Sequence, residues 1–404
     1  MSWPKQPLKD LSKKIGSGTT PRGGTSVYTE DGTSLIRSQN VYNSEFLRSG
    51  LVFIDDETAN KMSGVTVEAN DVLLNITGDS VARCCLVPES VLPARVNQHV
   101  LIIRPDPRKL NPAFLSNYLV SPFMQTTLLS WAGNGGTRKA LTKGMIESLE
   151  IPLPDISTQE RIASVLQAYD NLIKNNRRRM ELLEQAARLI YHEWFVQFRF
   201  PGHETAKQID GLPDGWVRKV IGEVCSTNKS SYQNGKLPDR ISYIDIGSVT
   251  TGQVNEKTFY DADDAPGRAR RIVQPMDTIW SNVRPNLKAY ALVMSPDEND
   301  VFSTGFTVLH AENVSPYFLY LAVTTEDFVK HLINHATGVS YPAVRADDFE
   351  RAPIIVPTAN LMNEFHTFCE PLFQQKQKLS DANMKLAKAR DLLLPRLMDG
   401  RIPV

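Results

Sequence analysis

Polar side chains of the types that read nucleic-acid bases recur in the loops of this chain. Arginine offers paired donors that fit the edge of guanine, and asparagine or glutamine fits adenine. In the first half of the chain, the residues that we predict to contact nucleic acid are Arg22, Arg37, Ser38, Asn40, Asn75, Thr77, Arg83, Gln98, Arg138 and Lys139. In the second half we predict contacts from Asn282, Arg284, Lys288, Thr304, Tyr341 and Arg345. For any single residue, an ordinary solvated loop is the competing interpretation.

No residue pattern typical of catalysis accompanies these loops. The stretch "NPAF" at 111–114 is a weak match to the [DN]PP[YF] motif of amino-methyltransferases, but it lacks the second proline. Its counterpart "SPYF" at 315–318 favours a helix start instead, because proline is tolerated in a first helical turn. His331 and His335 have the i, i+4 spacing of zinc ligands on a helix, but no third ligand follows. The sequence therefore predicts neither a catalytic site nor a metal site.

Length and composition set broad limits on the class of protein. The 404 residues predict two to three domains. Lys plus Arg and Asp plus Glu number 45 each, and zero net charge argues against a chain that grips DNA phosphates by itself. Four cysteines without a CxxC pair indicate neither a zinc cluster nor a disulfide framework. The N-terminal residues lack a signal-type apolar core, and no apolar run reaches the roughly 20 residues of a membrane span, so we expect a soluble cytoplasmic protein.

The chain contains two copies of one plan. "DVLLNITGDSVARCCLV" at 71–87 aligns with "DTIWSNVRPNLKAYALV" at 277–293, and "GGTRKALTKGMIESLEIPLP" at 135–154 aligns with "GVSYPAVRADDFERAPIIVP" at 338–357. Other segments match in the same order, at offsets that drift from 213 to 203 residues. An internal duplication explains this conserved order. Short apolar runs bounded by Gly, Pro and Asn predict a β-rich head in each copy.

A long helix is predicted after each head. The first begins near Ser157, where Ser157 and Glu160 have the spacing of a capping box. The second begins near residues 358–360 and runs to about Leu394, where Pro395 would interrupt it. The predicted apolar seams are Leu172, Leu183, Ala187, Ile190 and Trp194 in the first helix and Leu372, Leu379, Leu386, Leu393 and Leu397 in the second.

Together these patterns predict an α+β fold with internal pseudo-symmetry. Two β-rich globular heads would be separated by two long helices that pair antiparallel as a coiled coil, in the shape of a dumbbell. The predicted boundaries are 1–154 for the first head, 155–200 for the central helix, 201–357 for the second head and 358–404 for the C-terminal helix. The second head has 15 Lys and Arg against 20 Asp and Glu, so we expect a partner to supply much of the phosphate binding.

The segment "GGTRKALTKGMIESLEIPLPDISTQERIA" at 135–163 carries a family resemblance. It resembles the stretch that closes the target-recognition domain of type I restriction-modification specificity subunits. "DVLLNITGDSVARCCLV" and "VNQHVLII" at 96–103 are also similar to strand motifs of that family. The resemblance is present in each of the two copies, and together they cover nearly the whole chain. The second copy lacks the Gln-Glu pair that opens the first long helix.

The resemblance implies a specificity and scaffold role without catalysis. Two target-recognition domains would bind the two halves of a bipartite double-stranded DNA site, and the helix pair would set the spacer between them. The helices would also dock two methyltransferase subunits, and two restriction and translocase subunits would complete the complex. S-adenosylmethionine, ATP and Mg²⁺ are expected on those partner subunits, and no cofactor is expected on this chain.

Other classes of protein remain open at this point. One alternative is the specificity chain of another restriction-type system, with a fused methylase and nuclease as its partner. Another is a coiled-coil adaptor whose heads bind protein. A free-standing methyltransferase or nuclease would need catalytic motifs that this sequence lacks. Sequence-specific DNA binding in the presence of a methyltransferase partner would distinguish these possibilities.

Overall fold

The chain divides into two compact units, each with its own sheets and helices. The computed structural model describes residues 3–133, 139–233, 236–338, 340–402 and 404. Unit 1 consists of Met1–Asn175 and Ala382–Val404, and unit 2 consists of Asn176–Asp381. Both units are α+β, as the sequence predicts.

Unit 1 is built on two sheets that share a core. Its strands are β1 (Lys5–Pro7), β2 (Ser12–Ser17), β3 (Tyr28–Thr29), β4 (Thr33–Ile36), β5 (Val41–Tyr42), β6 (Glu45–Phe46), β7 (Val52–Ile54), β8 (Thr66–Val67), β9 (Val72–Asn75), β10 (Cys84–Leu86), β11 (Ala94–Val96), β12 (Val100–Pro105) and β13 (Glu150–Pro152). One sheet has the order β10-β9-β12-β2, and the other has the order β3-β7-β4-β11-β8. The short pairs β1 with β13 and β5 with β6 complete the unit.

Unit 2 repeats most of this plan. Its strands are β14 (Gln208–Ile209), β15 (Leu212–Pro213), β16 (Val217–Val220), β17 (Cys225–Thr227), β18 (Arg240–Ile244), β19 (Val249–Thr250), β20 (Gln253–Val254), β21 (Thr258–Asp261), β22 (Ala269–Arg271), β23 (Asp277–Ser281), β24 (Tyr290–Val293), β25 (Asp300–Ser303), β26 (Phe306–Ala311) and β27 (Pro353–Val356). The order β24-β23-β26-β17 matches β10-β9-β12-β2 of unit 1. The order β21-β18-β25-β22 matches β7-β4-β11-β8, and β3 has no counterpart in this sheet of unit 2. The parallel pair of β4 with β11 recurs as β18 with β25. The internal duplication predicted from the sequence is confirmed.

Nine helices accompany the strands of the described residues. They are α1 (Asp56–Lys61), α2 (Pro112–Val120), α3 (Pro122–Gly133), α4 (Lys143–Glu147), α5 (Ile156–Tyr191), α6 (Pro316–Ala322), α7 (Glu326–His335), α8 (Ala346–Glu350) and α9 (Ala359–Met398). Helices α2 and α6 begin at Pro112 and Pro316, so the helix starts predicted there are confirmed. With 36 and 40 residues, α5 and α9 are about 54 and 60 Å long. Among the described helices, none has both the length and the apolar character needed to cross a membrane.

Strand β9 is buried on both faces, and this fixes the start of the loop that follows it. Its sequence "VLLN" is apolar without the alternation of a half-exposed strand, because one face meets the helices and the other meets the second sheet. Val72 and Leu74 pack with the cluster that contains Phe114 of α2. Leu73 packs on the opposite face, in the cluster that contains Leu35 of β4. The strand therefore cannot shift without exposing one of two cores.

The ends of the two long helices differ from the sequence-based expectation. Helix α5 is capped by Asp155, whose Oδ1 accepts hydrogen bonds from the Thr158 backbone N–H at 2.9 Å and the Ser157 hydroxyl at 2.6 Å. The prediction of Ser157 as the cap is therefore wrong by two residues. Helix α9 does not stop at Pro395 but continues to Met398, whose side chain is buried in the core of unit 1. Tertiary packing here outweighs the loss of one backbone N–H.

Helix α5 buries residues at seven-residue spacing, and Ala187 of the predicted seam is one of them. Leu166 and Ile173 are buried in unit 1, and Met180 and Ala187 are buried in unit 2. Leu172 is 46% exposed, so its assignment to the seam is wrong. The seam of an α-helix is only one or two residues wide at each level, so an error of one residue in phase moves a side chain to solvent.

Within unit 1, polar contacts join α5 to α9 in antiparallel order. Arg390 Nη1 donates to Asp170 Oδ1 at 2.6 Å, and Asn383 Nδ2 donates to the Ile173 carbonyl at 3.3 Å. Asn383 precedes Arg390 along α9, but their partners lie in the reverse order along α5, with Ile173 after Asp170. The order of these two contacts is that of antiparallel helices.

Within unit 2, a buried carboxylate joins α5, α9 and the strands. Glu184 of α5 accepts hydrogen bonds from Lys376 of α9, from Arg188 at 2.6 Å and from the Tyr320 hydroxyl at 2.7 Å. Lys376 also donates to the Gly252 carbonyl at 3.1 Å, in the turn between β19 and β20. Burial raises the pKa of the Glu184 carboxyl, but Lys376 and Arg188 outweigh burial and hold this pKa below its usual value.

Replacing Glu184 by glutamine should destabilise unit 2 strongly. The variant leaves Lys376 and Arg188 without their shared anion, and breaking a buried ion pair costs roughly 3 kcal/mol. We expect a lower midpoint in urea unfolding near pH 7. Because the folded-state pKa of Glu184 is depressed, its stabilising contribution should be lost as pH falls below about 4.3, the ordinary glutamate pKa.

A matched control is Glu57→Gln, which removes a solvent-exposed partner of Lys61 at the i, i+4 position of α1. Surface pairs contribute little to folding, so this variant should unfold like the wild type. Equal unfolding midpoints for the two variants would show that the Glu184 cluster does not stabilise unit 2.

The four cysteines should be unreactive in the folded protein. All four are free and buried. Burial raises the thiol pKa to about 12 in Cys85, Cys225 and Cys369, and raises that of Cys84 well above its usual value. Thiolate is the reactive form, so titration with a disulfide reagent at pH 8 should be slow in buffer and should reach four thiols in denaturant. A thiol that reacts at once in buffer would contradict this burial.

Candidate nucleic-acid interface

In unit 1, the loop after β9 is tied to the segment that precedes α4. Thr77 and Ala140 form an isolated antiparallel bridge. The Gly78 N–H donates to the Lys139 carbonyl at 3.0 Å, and the Leu141 N–H donates to the Ile76 carbonyl at 2.8 Å. These bonds hold the 76–83 loop and Lys139 side by side, although more than 50 residues separate them in the sequence.

Beside this bridge lies an open polar cleft of about 380 Å³, here called the unit 1 cleft. It brings together three of the predicted site residues, Ser38, Thr77 and Arg83, which come from two different loops. The full lining consists of Ser38, Gln39, Tyr42, Thr77, Gly78, Asp79, Ser80, Arg83 and His99. All of these residues except Gly78 have a side chain that can form hydrogen bonds, so the cleft can bind a ligand through polar contacts.

The groups in the unit 1 cleft are arranged for stacking and hydrogen bonding. The Arg83 guanidinium lies 4.3 Å from the centroid of the Tyr42 ring, a cation–π contact that holds the arginine in one orientation. A hydrogen bond of 2.6 Å joins Thr77 Oγ1 to His99 Nδ1. Gln98 Nε2 lies 3.4 Å from His99 Nε2, which places the predicted Gln98 at the edge of the cleft. Stacked arginine and side-chain amides are the groups that bind base edges.

Two predicted site residues have structural roles instead. Asn40 and Asn75 are fully buried. Asn40 Nδ2 donates to the Leu47 carbonyl at 2.9 Å, and Asn75 Nδ2 donates to the Ser38 carbonyl at 2.8 Å. Their amides therefore hold the loops that form the cleft and do not face solvent. Sequence patterns cannot separate such loop-bracing amides from exposed ones, because both occur at the ends of strands.

The remaining predicted residues of the first half lie apart from the cleft lining. Arg37 Nη2 donates to the Gly50 carbonyl at 2.6 Å, and its guanidinium lies 5.4 Å from the Tyr28 ring. Arg22 is exposed in the loop after β2. Arg138 lies outside the described residues.

Unit 2 contains the same loop frame. Val283 and Ala343 form the equivalent bridge. The Arg284 N–H donates to the Pro342 carbonyl at 2.7 Å, and the Val344 N–H donates to the Asn282 carbonyl at 2.9 Å. These bonds bring the predicted residues Asn282, Arg284 and Tyr341 into one loop cluster.

The predicted residues of unit 2 differ in how free their side chains are. The guanidinium of Arg284 lies 4.7 Å from the centroid of the Tyr341 ring. Asn282 Oδ1 accepts the hydroxyl of Thr307 at 2.7 Å, and the Asn282 N–H donates to the carbonyl of Gly305, next to Thr304. Lys288 is paired with Glu326 at 2.5 Å. Arg345 is exposed and precedes α8, where its backbone N–H donates to the Asp348 carboxylate at 2.8 Å.

Sequence reasoning missed Tyr42 and His99. Tyr42 lies in β5, 41 residues before Arg83 along the chain, so the cation–π pair could not be read from local spacing. His99 directly follows the predicted Gln98, and its hydrogen bond to Thr77 is visible only in the fold. The one signal in the sequence that could have indicated Tyr42 is the position of a tyrosine beside the end of a strand.

Potential metal ligands are dispersed among the described residues. Within them, no group of three or more His, Cys, Asp or Glu side chains is placed to hold a metal ion. His331 and His335 lie with ring centroids 4.2 Å apart, and His331 Nε2 is 2.9 Å from the Asp348 carbonyl. This contact joins α7 to α8 and explains the histidine pair as packing.

Comparison with known proteins agrees with this architecture. Residues 2–185 match the family described as the Type I restriction modification DNA specificity domain. The type I restriction enzyme MjaIX specificity subunit of Methanocaldococcus jannaschii is 24% identical over 363 residues, with 82% of each chain covered. The HindI specificity subunit of Haemophilus influenzae is 21% identical over 469 aligned residues, with 99% of each chain covered.

A solved structure shares the fold. The crystal structure of a type I restriction-modification S subunit from M. genitalium superposes with a TM-score of 0.57 at 15% sequence identity, covering 98% of this chain and 96% of that chain. The family match in the first half, the relatives aligned along most of the length and the duplicated loop frame all agree. The first half of the chain matches this family, and the relatives that align along most of its length are type I restriction enzyme specificity subunits.

Proposed function

We propose that this chain recognises a bipartite double-stranded DNA site, with each unit reading one half. The observation that carries the proposal is the repeated loop frame. The bridges at Thr77 and Val283 have the same backbone hydrogen bonds, yet the side chains around them differ. One frame with two sets of polar groups suits the reading of two different half-sites.

In unit 1, the proposed contacts come from the cleft and its rim. Arg83, held by Tyr42, presents donors suited to guanine, while Gln98 suits adenine. Ser38 and Thr77 add hydroxyl groups, and Lys139 and Arg22 add charge for phosphates. The relatives are specificity subunits, and the chain is accordingly assigned recognition and not catalysis.

The long helices are proposed to set the spacer and to dock methyltransferase subunits. Both α5 and α9 have residues in each unit, and the dumbbell arrangement expected from the sequence belongs to this proposal. Leu182 and Leu189 of α5, with Val196 five residues beyond its end, follow one another at seven-residue spacing, and all three are at least 45% exposed. An exposed apolar stripe of this period on a helix is suited to a partner helix.

Partner subunits are also proposed to supply what this chain lacks. The chain has zero net charge, and two methyltransferase and two restriction subunits would add phosphate contacts. S-adenosylmethionine, ATP and Mg²⁺ would be bound by those subunits. The four free, buried cysteines are compatible with a reducing compartment, so we place the complex in the cytoplasm.

Replacing Arg83 by alanine should alter one half of the recognised site. Co-expression with a type I methyltransferase partner, followed by mapping of methylated adenines, should give a bipartite motif for the wild type. Arg83→Ala should relax one base of a single half-site, because a bidentate contact is worth about 1–3 kcal/mol of discrimination. The other half-site should be unchanged.

The control for this experiment is Arg108→Ala. Arg108 is an exposed arginine of unit 1 that pairs with Asp106. It follows the C-terminal end of β12, whereas His99 precedes the N-terminal end of this strand. Its removal should leave the motif intact. If a folded complex with its methyltransferase produces no bipartite motif, the proposed function is wrong.

Replacing Leu189 by glutamate should weaken the association with methyltransferase. Leu189 is 61% exposed, so the charge should not disturb folding, but it would be buried in the proposed interface. Affinity measured by co-purification or calorimetry should fall by roughly tenfold or more. Ile333→Glu places the same charge at an exposed site on α7 and should have no effect. Equal binding by both variants would exclude this face of α5 as the docking surface.

A further inference from the structure

Arg284 of unit 2 occupies the backbone position that Gly78 occupies in unit 1. Each residue follows the bridge residue of its loop, Val283 or Thr77. Each also donates its N–H to the segment that precedes the next short helix, to Pro342 at 2.7 Å or to Lys139 at 3.0 Å. The duplication thus supplies an internal reference for what this backbone position requires.

That position requires a left-handed backbone. Gly78 has φ +75°, and Arg284 has φ +52° and ψ +63°. Glycine adopts such angles without steric cost, whereas a residue with a Cβ does not. A Cβ added at Gly78 would meet nothing within 4 Å, so a side chain here points into open space. Unit 2 therefore keeps an arginine where glycine would give a more relaxed backbone.

The side chain of Arg284 is held in place but not neutralised. Its guanidinium stacks on Tyr341 at 4.7 Å, and Nη2 lies 3.5 Å from the Ser340 carbonyl. Among the described residues it forms no ion pair within 4.0 Å, whereas Lys288, the other left-handed cation of this loop, is paired with Glu326. Tyr341 is itself 69% exposed. The stacked pair therefore stands on the surface with the donor edge of the guanidinium available.

We propose that Arg284, oriented by Tyr341, reads a guanine in the half-site of unit 2. The inference rests on the proposed function and assigns one specificity-determining residue within it. An exposed residue with a strained backbone is a candidate functional residue, because strained residues cluster at functional sites. The planar fork of arginine matches the O6 and N7 acceptors of guanine in the major groove, and the ring beneath it fixes the direction of approach. Tyr341 acts as a positioning residue.

The decisive variant is Arg284→Gly, which restores the residue of unit 1 at this position. If the side chain serves recognition alone, the variant should unfold at the same temperature as the wild type or higher, because the strain is relieved. Mapping of methylated adenines should show the half-site of unit 1 unchanged and one guanine of the other half relaxed, with discrimination reduced by about 5- to 150-fold. Arg284→Lys keeps the charge but lacks the fork, and it should relax the same base.

A matched control is Asp210→Gly. Asp210 is an exposed residue of unit 2 with nearly the same backbone angle, φ +50°. This variant also relieves a left-handed strain and should leave the motif unchanged. For the positioning role, Tyr341→Ala should reduce discrimination at the same base, and Tyr341→Phe should restore it because the ring remains.

The outcomes separate this inference from the proposed function. A wild-type complex that yields no bipartite motif contradicts the proposed function. A wild-type bipartite motif that Arg284→Gly leaves unchanged overturns the inference alone. A uniform loss of methylation at all sites, without relaxation at any base, would assign Arg284 to a phosphate and also overturn base reading. A large fall in the unfolding temperature of Arg284→Gly would show that Arg284 stabilises the fold, and it would also overturn the inference that this residue reads a base.

Discussion

A two-residue bridge in each unit is the constraint on which the candidate interface depends. Thr77 with Ala140, and Val283 with Ala343, join two loops that are far apart in the sequence. One side of the bridge continues from a strand buried on both faces, so it cannot move without disturbing two cores. The polar side chains therefore emerge from a rigid frame, as precise contacts require. Evolution could vary the side chains around the bridge while the frame stayed the same.

Much of the architecture could be predicted because it follows from patterns that repeat. The duplication left matched segments in the same order, and the proline at 112 and 316 marked a helix start in both copies. Helix ends were harder to predict, since Asp155 and not Ser157 caps α5, and α9 continues past Pro395. The Asp155 cap is a local contact with Ser157 and Thr158, chosen over a neighbouring residue that is also a good cap. At Pro395 the deciding term is a tertiary contact that local sequence does not encode. The same is true of the Leu172 phase error, because burial depends on which face meets the neighbouring helix.

The candidate site was less predictable than the fold. Asn40 and Asn75 have the residue type of base-reading groups, but their amides satisfy backbone carbonyls inside the protein. Tyr42 and His99 are assigned to the site only because they contact Arg83 and Thr77 in the folded chain. A polar residue at the end of a strand has two possible partners, the protein's own backbone and the ligand. Which of them it contacts is decided by burial, and burial is a property of the folded chain.

The composition of unit 1 has a consequence for how the chain is made. Its core includes Leu394, Leu397 and Met398, which follow the whole of unit 2 in the sequence. The ribosome must synthesise 206 further residues, 176–381, before this last part of the core exists. At 5–20 residues per second that interval is about 10 to 40 s. The unit that comes first in the sequence is therefore completed last, and its apolar surface is open to chaperones throughout that time.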